Sequence, residues 1–396
     1  MNIHEYQAKQ ILKANGINVP KGKVAYTAQE AKNAAREVAS KGPWVLKAQI
    51  HSGARNQGHF IEKSAGKGGG IRIVNSLSDV YTNAEHMLGS TLVTAQTGPS
   101  GRLVSRIYVE AYNETVHGFY LGMALDRTLP AITLLAADTK DIDISDIATN
   151  HPDKIMRVPL DINGPTAEQS ARILSFLKLQ DKSEKSFYEF IKGLFKTFIE
   201  SDALMIEINP VGVLKTGKLV ALDAKITLDN RAIYRHPDYL HFQDKDETNP
   251  REQKALQYGF AYNEYDGNIG CIVNGDGLAL AMIGLMPDSV ACTINIKGGT
   301  DRDKIAAGIK IIATNPRVEG IVINILGGFV RCDMIADGII DTAAEVGMNV
   351  PLVIRFEGTN RDEACKILEQ SNLPIIMADS MEDAVFQITK AVEEKE

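Results

Sequence analysis

The chain carries a single tryptophan and 4 cysteines among 396 residues. Cys271, Cys292, Cys332 and Cys365 all fall in the C-terminal half, and no two stand as C-x-x-C. Widely spaced single thiols in a long chain read as buried core residues, not as a disulfide framework, a zinc site or a redox pair, and they fit a reducing, cytoplasmic setting. Long hydrophobic runs are missing as well: none approaches the ~18 residues that span a bilayer, so no membrane partner is expected. Met1-Asn2-Ile3-His4 begins without a basic region ahead of an apolar run, so no signal peptide is expected either. Positive charge is not in excess. Lys and Arg sum to 43 against 50 for Asp and Glu, a formal charge of -7. A nucleic-acid backbone as main partner requires clustered cations instead. No G-x-x-x-x-G-K-[ST] run, Ser-His-Asp arrangement, zinc-type Cys/His cluster or internal repeat is present.

What is present is ordinary for a globular protein: 44% hydrophobic and 23% charged residues. At roughly 150 residues per domain, the length predicts two or three domains of α/β class. The pattern changes near residue 245, at the polar stretch 243–250, which sets domains at 1–245 and 246–396. Beyond it, apolar runs (267–273, 290–296, 320–326, 351–356, 373–377) alternate with helical stretches (301–315, 333–348, 361–371, 381–393). Alternation of that kind means βαβ units and a parallel sheet. Four of the runs end in Asn274-Gly275-Asp276-Gly277, Lys297-Gly298-Gly299, Gly327-Gly328 and Glu357-Gly358. Any one such glycine is as well explained by the preference of βα turns for Gly. Four on one rim tilt the balance towards an anion-binding edge.

The N-terminal residues predict helices over 2–15, 27–40, 166–179 and 183–201 and strands over 44–50, 105–110 and 120–126. Thr27 with Glu30 has capping-box spacing. Residues 204–210 are expected to form a short hairpin with 218–223. Lys47 lies in an apolar strand and must aim its ammonium at an anion or carboxylate, with Arg55 in the following loop. The pair suits polyphosphate; a snorkelling lysine over a flexible loop is an equal alternative. Glu207 and Asn209, two apart on one strand, face one side, and Asp223 ends the neighbouring strand. Their hard oxygens are the set Mg²⁺ takes, with edge-strand polarity as the competing explanation. All 8 histidines precede residue 245. If chemistry occurs at the C-terminal rim, part of it must therefore be supplied by another chain.

Met1-Asn2-Ile3-His4-Glu5-Tyr6-Gln7-Ala8-Lys9, Val45-Leu46-Lys47-Ala48-Gln49-Ile50-His51, Glu207-Ile208-Asn209-Pro210, the run 266–275 and the run 324–333 resemble, end to end and in order, the β subunit of succinate–CoA ligase. The resemblance implies an ATP-grasp N-terminal region of two lobes and a flavodoxin-like CoA-ligase domain. It implies exchange of a phosphoryl group between ATP/ADP and a phosphohistidine on an α subunit, which also brings the CoA site. Lys47 and Ala54-Arg55-Asn56 would contact nucleotide phosphates, and Glu110 and Asn113 the base and ribose side. Asn209 and Asp223 match Mg²⁺ ligands, and Glu207 a catalytic carboxylate near the phosphohistidine. Asn274 and Gly328-Phe329-Val330 match the succinate and phosphate rim shared with the α subunit. Pro20 matches ATP-specific members. A bacterial cytoplasmic or matrix-like mature location follows, in the tricarboxylic acid cycle.

Departures from the family pattern are specific. H-A-G-G-R-G-K is here His51-Ser52-Gly53-Ala54-Arg55-Asn56-Gln57, and a carboxylate expected after Glu110 is Gly118. Ala136-Ala137-Asp138-Thr139-Lys140 replaces Ser-Thr-Glu-Gly-Gly, Asp276 enters the N-G-A-G turn, and Asn295-Ile296-Lys297-Gly298-Gly299-Thr300 stands where the family reads D-V-G-G-G-A, with Lys297 at its first glycine. The bulky Phe329 and the altered Asn274-Gly275-Asp276-Gly277 turn motivate one alternative, a ligase for another dicarboxylate such as malate, and the altered glycine loops motivate a second, a non-catalytic β-like subunit.

Overall fold

The computed structural model describes residues 1–126, 131–138, 144–179, 181–244, 249–297, 301–328, 330–346, 350–371 and 373–394. The chain forms two compact units, Met1–Glu247 and Thr248–Glu396. Of the expected polar junction at 243–250, residues 245–248 lie outside the described residues.

The first unit has two lobes. In one, an antiparallel sheet runs in the order Gly22–Ala25, Ile107–Ala111, Trp44–Ala48, Ile71–Val74. Helices Ala28–Val38 and Leu77–Met87 cover one face and bury Leu46, Val109, Ala34 and Met87 between the layers. The first of these helices starts where capping dictates: Thr27 Oγ1 accepts from the Glu30 N–H at 3.1 Å, and Glu30 reaches back to the Tyr26 N–H at 2.8 Å. In the other lobe a larger antiparallel sheet takes the order Asn2–Ile3, Ala224–Leu228, Ala203–Leu214, Thr115–Leu125, Ile132–Ala137, Met156–Leu160. Phe119, Ile206, Phe187 and Leu194 lie in its core. Residues 2–3, read as the start of a helix, are a strand because they pair with Ile226 and Thr227. The helix begins at Glu5.

The expected hairpin differs in register. Ala203–Leu214 is one long strand. Its second half, Val211–Val213, pairs with Leu219–Ala221, whereas Ile206–Ile208 pair with Ala224–Ile226. Residues 209–210 and 222–223 therefore face each other across a break in the ladder, where Leu222 N–H donates to the Pro210 carbonyl at 3.1 Å.

The second unit is a doubly wound sheet. Its parallel strands lie in the order Val290–Asn295, Ile269–Val273, Gly320–Gly327, Leu352–Gly358, Ile375–Met377, which counted along the chain is the flavodoxin order. An antiparallel edge strand, Ala261–Glu264, which the alternating pattern hid, flanks Val290–Asn295. Successive residues feed opposite faces: Ile272 joins the core with Ile305 and Ile335, and Cys271 and Val273 join the one with Met282 and Ile388. Burial on both faces is why these strands read as unbroken apolar runs.

Candidate functional site

A cavity of about 480 Å³ opens in the first unit, lined by Pro20, Lys47, Arg55, Glu110, Asn209 and Asp223 among others. Against it lies an ion-pair network of three cations and three carboxylates, of which all but Lys9 line the cavity. Lys47 Nζ lies 2.7 Å from both Glu5 Oε1 and Glu110 Oε2. Lys9 Nζ meets Glu5 at 2.7 Å, Glu110, and the Leu222 carbonyl at 2.7 Å. Arg55 contacts Glu5 at 2.6 Å and Asp223 at 2.8 Å. Burial alone pushes the Glu5 carboxyl up, but Lys47, Lys9 and Arg55 outweigh it and hold it well below the usual carboxylate range. Burial works against the Lys47 ammonium too, and Glu110, Glu5 and Asp223 reverse it, so the pKa is raised. Lys47 is thus a held cation, not a snorkelling one.

Glu5 and Lys9 went unnoticed in the sequence because a Glu–Lys pair at i, i+4 usually decorates an exposed helix face. Here both side chains are at most 2% exposed. Glu110, expected on the base and ribose side, turns its carboxylate to Lys9 and Lys47 instead. Asn113 and Gly118 line the cavity, and Asn113 Nδ2 donates to the Ala111 carbonyl at 3.0 Å.

The break in the ladder sets Asn209 opposite Asp223, with both lining the cavity. Glu207, one strand repeat before Asn209, accepts from the Tyr120 hydroxyl at 3.2 Å. Burial, followed by the Glu207 charge, raises the Tyr120 pKa and keeps that hydroxyl a donor. The amide oxygen of Asn209, on a strand, and the carboxylate of Asp223, in the bend opposite, form a hard donor set that fits Mg²⁺.

The loop after Lys47 is pinned on several sides. Gly53 N–H donates to Gln96 Oε1 at 2.7 Å, the Ser52 and Thr94 hydroxyls are 2.6 Å apart, and Gly70 N–H donates to the Arg55 carbonyl at 2.7 Å. Ala54 has φ 53°, a left-handed conformation that glycine adopts more easily. Its backbone thus keeps the shape the family pattern assigns to glycine. Asn56 lines the cavity without a positive φ.

His4, His51 and Asp244 bring potential ligand atoms within 4.8 Å of one another. The two rings, however, stack at 4.2 Å and 13° from parallel. Their lone pairs lie in separate planes and do not converge on one ion. Arg106 already neutralises Asp244 at 2.9 Å. This cluster is an ion-paired stack, not a metal centre.

In the second unit, Asn274 and Gly328 stand at the carboxyl ends of Ile269–Val273 and Gly320–Gly327, where the strand order reverses. Open α/β sheets bind ligands at that point. Asn274 bridges the two strand ends: Nδ2 donates to the Leu326 carbonyl at 2.7 Å and Oδ1 accepts from the Leu326 N–H at 2.9 Å. The rim glycines divide into two kinds. A Cβ at Gly275, Gly277 or Gly328 would meet nothing within 4 Å, so the backbone there is open to a ligand. A Cβ at Gly358 would lie 2.0 Å from the Gly327 carbonyl oxygen, so that glycine serves close packing instead. Val330 buries its side chain in the core, which leaves only its backbone to the rim. Asp276 accepts from Asn295 Nδ2 at 2.8 Å, and Lys297 takes φ 56°. Phe329, Gly298-Gly299-Thr300 and Thr139-Lys140 lie outside the described residues.

Comparison with known proteins matches residues 2–213 to the ATP-grasp domain and residues 272–388 to the CoA-ligase family. Among curated relatives, the β subunit of ADP-forming succinate–CoA ligase from Rhodospirillum rubrum is 44% identical over 399 residues, spanning all of both chains. Its counterpart from Acidiphilium cryptum is likewise 44% identical over the full length of both. That from Paracoccus denitrificans is 43% identical over 99% of this chain and all of its own. Among solved structures, ATP citrate lyase from Methanothrix soehngenii, in complex with citrate and coenzyme A, superposes with TM-score 0.66 at 15% identity, over 98% of this chain and 99% of that one. That likeness is one of fold.

Proposed function

The chain belongs to the family of ADP-forming succinate–CoA ligase β subunits, and from that premise we propose how its residues divide the work. Residues 1–245 bind ATP or ADP in the cavity of the first unit, and residues 246–396 carry the acid and phosphate rim. The observation that supports this most is the meeting of Lys47, Arg55 and Asp223 in one buried cluster on the floor of a nucleotide-sized cavity, opposite Asn209.

Lys47 and Arg55 neutralise the polyphosphate, and the Ala54-Arg55-Asn56 backbone frames it. Asn209 and Asp223 hold Mg²⁺, which when bound spreads the charge of the phosphate oxygens. Asn113, Pro20 and the backbone near Glu110 line the base and ribose side, with Pro20 favouring adenine. The γ-phosphoryl leaves ATP for an imidazole nitrogen of an α subunit, with ADP as leaving group. Glu207, fixed by Tyr120, orients that imidazole. The phosphohistidine then phosphorylates succinate, and the CoA thiolate displaces phosphate from the acyl phosphate. Asn274, Gly328, Phe329 and Val330 frame that exchange in company with the α subunit. Four free thiols support a reducing, cytoplasmic setting. Among the described residues no helix is long and apolar enough to cross a membrane.

Two measurements test this reading. Isothermal titration is expected to show Mg-ATP binding to the full chain, and absence of binding contradicts the assignment of the cavity. A coupled assay with the α subunit is expected to favour succinate over malate, and a clear malate preference contradicts the choice of acid.

A further inference from the structure

Arg55 is held at three points. Its Nη1 donates to the Ala48 carbonyl at 2.9 Å. Its Nη2 is shared, at 2.6 Å from Glu5 Oε2 and at 2.8 and 2.9 Å from the two oxygens of Asp223. These carboxylates differ in access: the Glu5 side chain is 2% exposed and that of Asp223 is 29% exposed. Through its other oxygen Glu5 also holds Lys47 and Lys9, each at 2.7 Å.

Asp223 cannot serve a dication fully while Arg55 keeps both of its oxygens, because two cations on one carboxylate repel. Arg55 releases Asp223 readily only if it retains a carboxylate of its own. A buried guanidinium stripped of every counter-ion carries a severe desolvation penalty. Among the described residues, Glu5 is the other carboxylate paired with Arg55 and so the one placed to prevent that.

We propose that Glu5 is a positioning residue of the nucleotide site: it presets Lys47 and Arg55 as a pair and remains the partner of Arg55 when Asp223 turns to the metal, which couples metal binding to nucleotide binding. The inference rests on the roles of Lys47, Arg55 and Asp223 proposed above. It carries a signature that a merely structural role lacks. With Glu5→Gln the three cations face two carboxylates, so attraction for a metal-free anion is undiminished. Arg55 then has Asp223 as its one carboxylate in the cluster, and a metal must compete for it.

The test is titration of the full chain with ADP, with and without Mg²⁺. Wild type is expected to bind ADP more tightly with Mg²⁺. Glu5→Gln is expected to bind metal-free ADP within about twofold of wild type or tighter, while the Mg²⁺ enhancement falls about tenfold, the loss of one charge-assisted contact. Glu5→Asp, which keeps the charge, is expected to hold the enhancement within about threefold of wild type. The inference is overturned if Glu5→Gln keeps the full enhancement, if it loses metal-free and metal-bound affinity alike, or if Glu5→Asp loses as much as Glu5→Gln. Circular dichroism checks folding. Should Glu5→Gln not fold, Glu5→Asp decides: an enhancement within about threefold supports the inference, and an about tenfold loss overturns it. Wild type that binds ADP without Mg²⁺ enhancement overturns the inference alone. Wild type that binds no ADP overturns the reading of the cavity itself.

Discussion

Ala54 holds φ 53°, where a Cβ costs an L-residue about 1–2 kcal/mol. Glycine removes that penalty but gives back about 0.5–1 kcal/mol as chain entropy. Ala54→Gly is therefore expected to stabilise the protein by about 0.5–1 kcal/mol in urea unfolding. A loss of stability would show that the Ala54 side chain makes a packing contact that outweighs the strain. Lys297, at φ 56°, repeats the situation in the second unit. Both changes from the family pattern thus preserve backbone shape, which weakens the case for a non-catalytic subunit. His51 offers a pH test. Burial, reinforced by the charge of His4 and opposed by Asp244, pushes its imidazole down to about 4. The folded protein then binds fewer protons than the unfolded chain between pH about 6.5 and about 4, so stability drops as pH falls through that window. His51→Gln is expected to flatten the dependence of the urea midpoint between pH about 6.5 and 5. An unchanged slope contradicts the assignment. Lys47 and Arg55 were legible in the sequence as an apolar-strand cation with a neighbour. Glu5 was not, because nothing local distinguishes a buried i, i+4 pair from a solvated one.

The strands were legible in proportion to how locally they are determined. Runs such as Ile269–Val273 and Gly320–Gly327 are buried on both faces, so composition alone marks them. Asn2–Ile3 exists only through its pairing with Ala224–Leu228, more than 200 residues away, and no local pattern announces it. The same holds for the break between Ile208 and Val211. Its register brings Asn209 and Asp223 together, although each residue by itself reads as a candidate from its oxygen donors. Glycine meaning also emerged only with register. Gly327 and Gly358 are ladder partners, and the φ of Gly358 is +95°. Gly358→Ala is expected to destabilise the second unit by about 2 kcal/mol or more, from strain plus a backbone clash. Gly328→Ala, in open space, is expected to stay within about 0.5 kcal/mol of wild type. Equal effects in parallel urea titrations would remove the distinction between packing and rim glycines.

The molecule carries a formal charge of -7, yet the cluster at the proposed nucleotide cavity pairs three cations with three carboxylates. Net charge therefore says nothing about the ligand; the local balance does. An anion entering a neutral cluster must bring compensating charge or displace a carboxylate, and both routes favour nucleotide that arrives with a divalent cation. The second unit holds a rim of open glycines and none of the 8 histidines, which fits the proposed reliance on a partner chain. The decisive measurement is phosphoryl transfer: [γ-³²P]ATP and Mg²⁺ are mixed with a succinate–CoA ligase α subunit, with and without this chain. The expected result is acid-labile label on a histidine of the α subunit only when this chain is present, reduced at least about 100-fold by Lys47→Met. Label that appears equally without this chain, or fails to appear with it, would contradict the assignment.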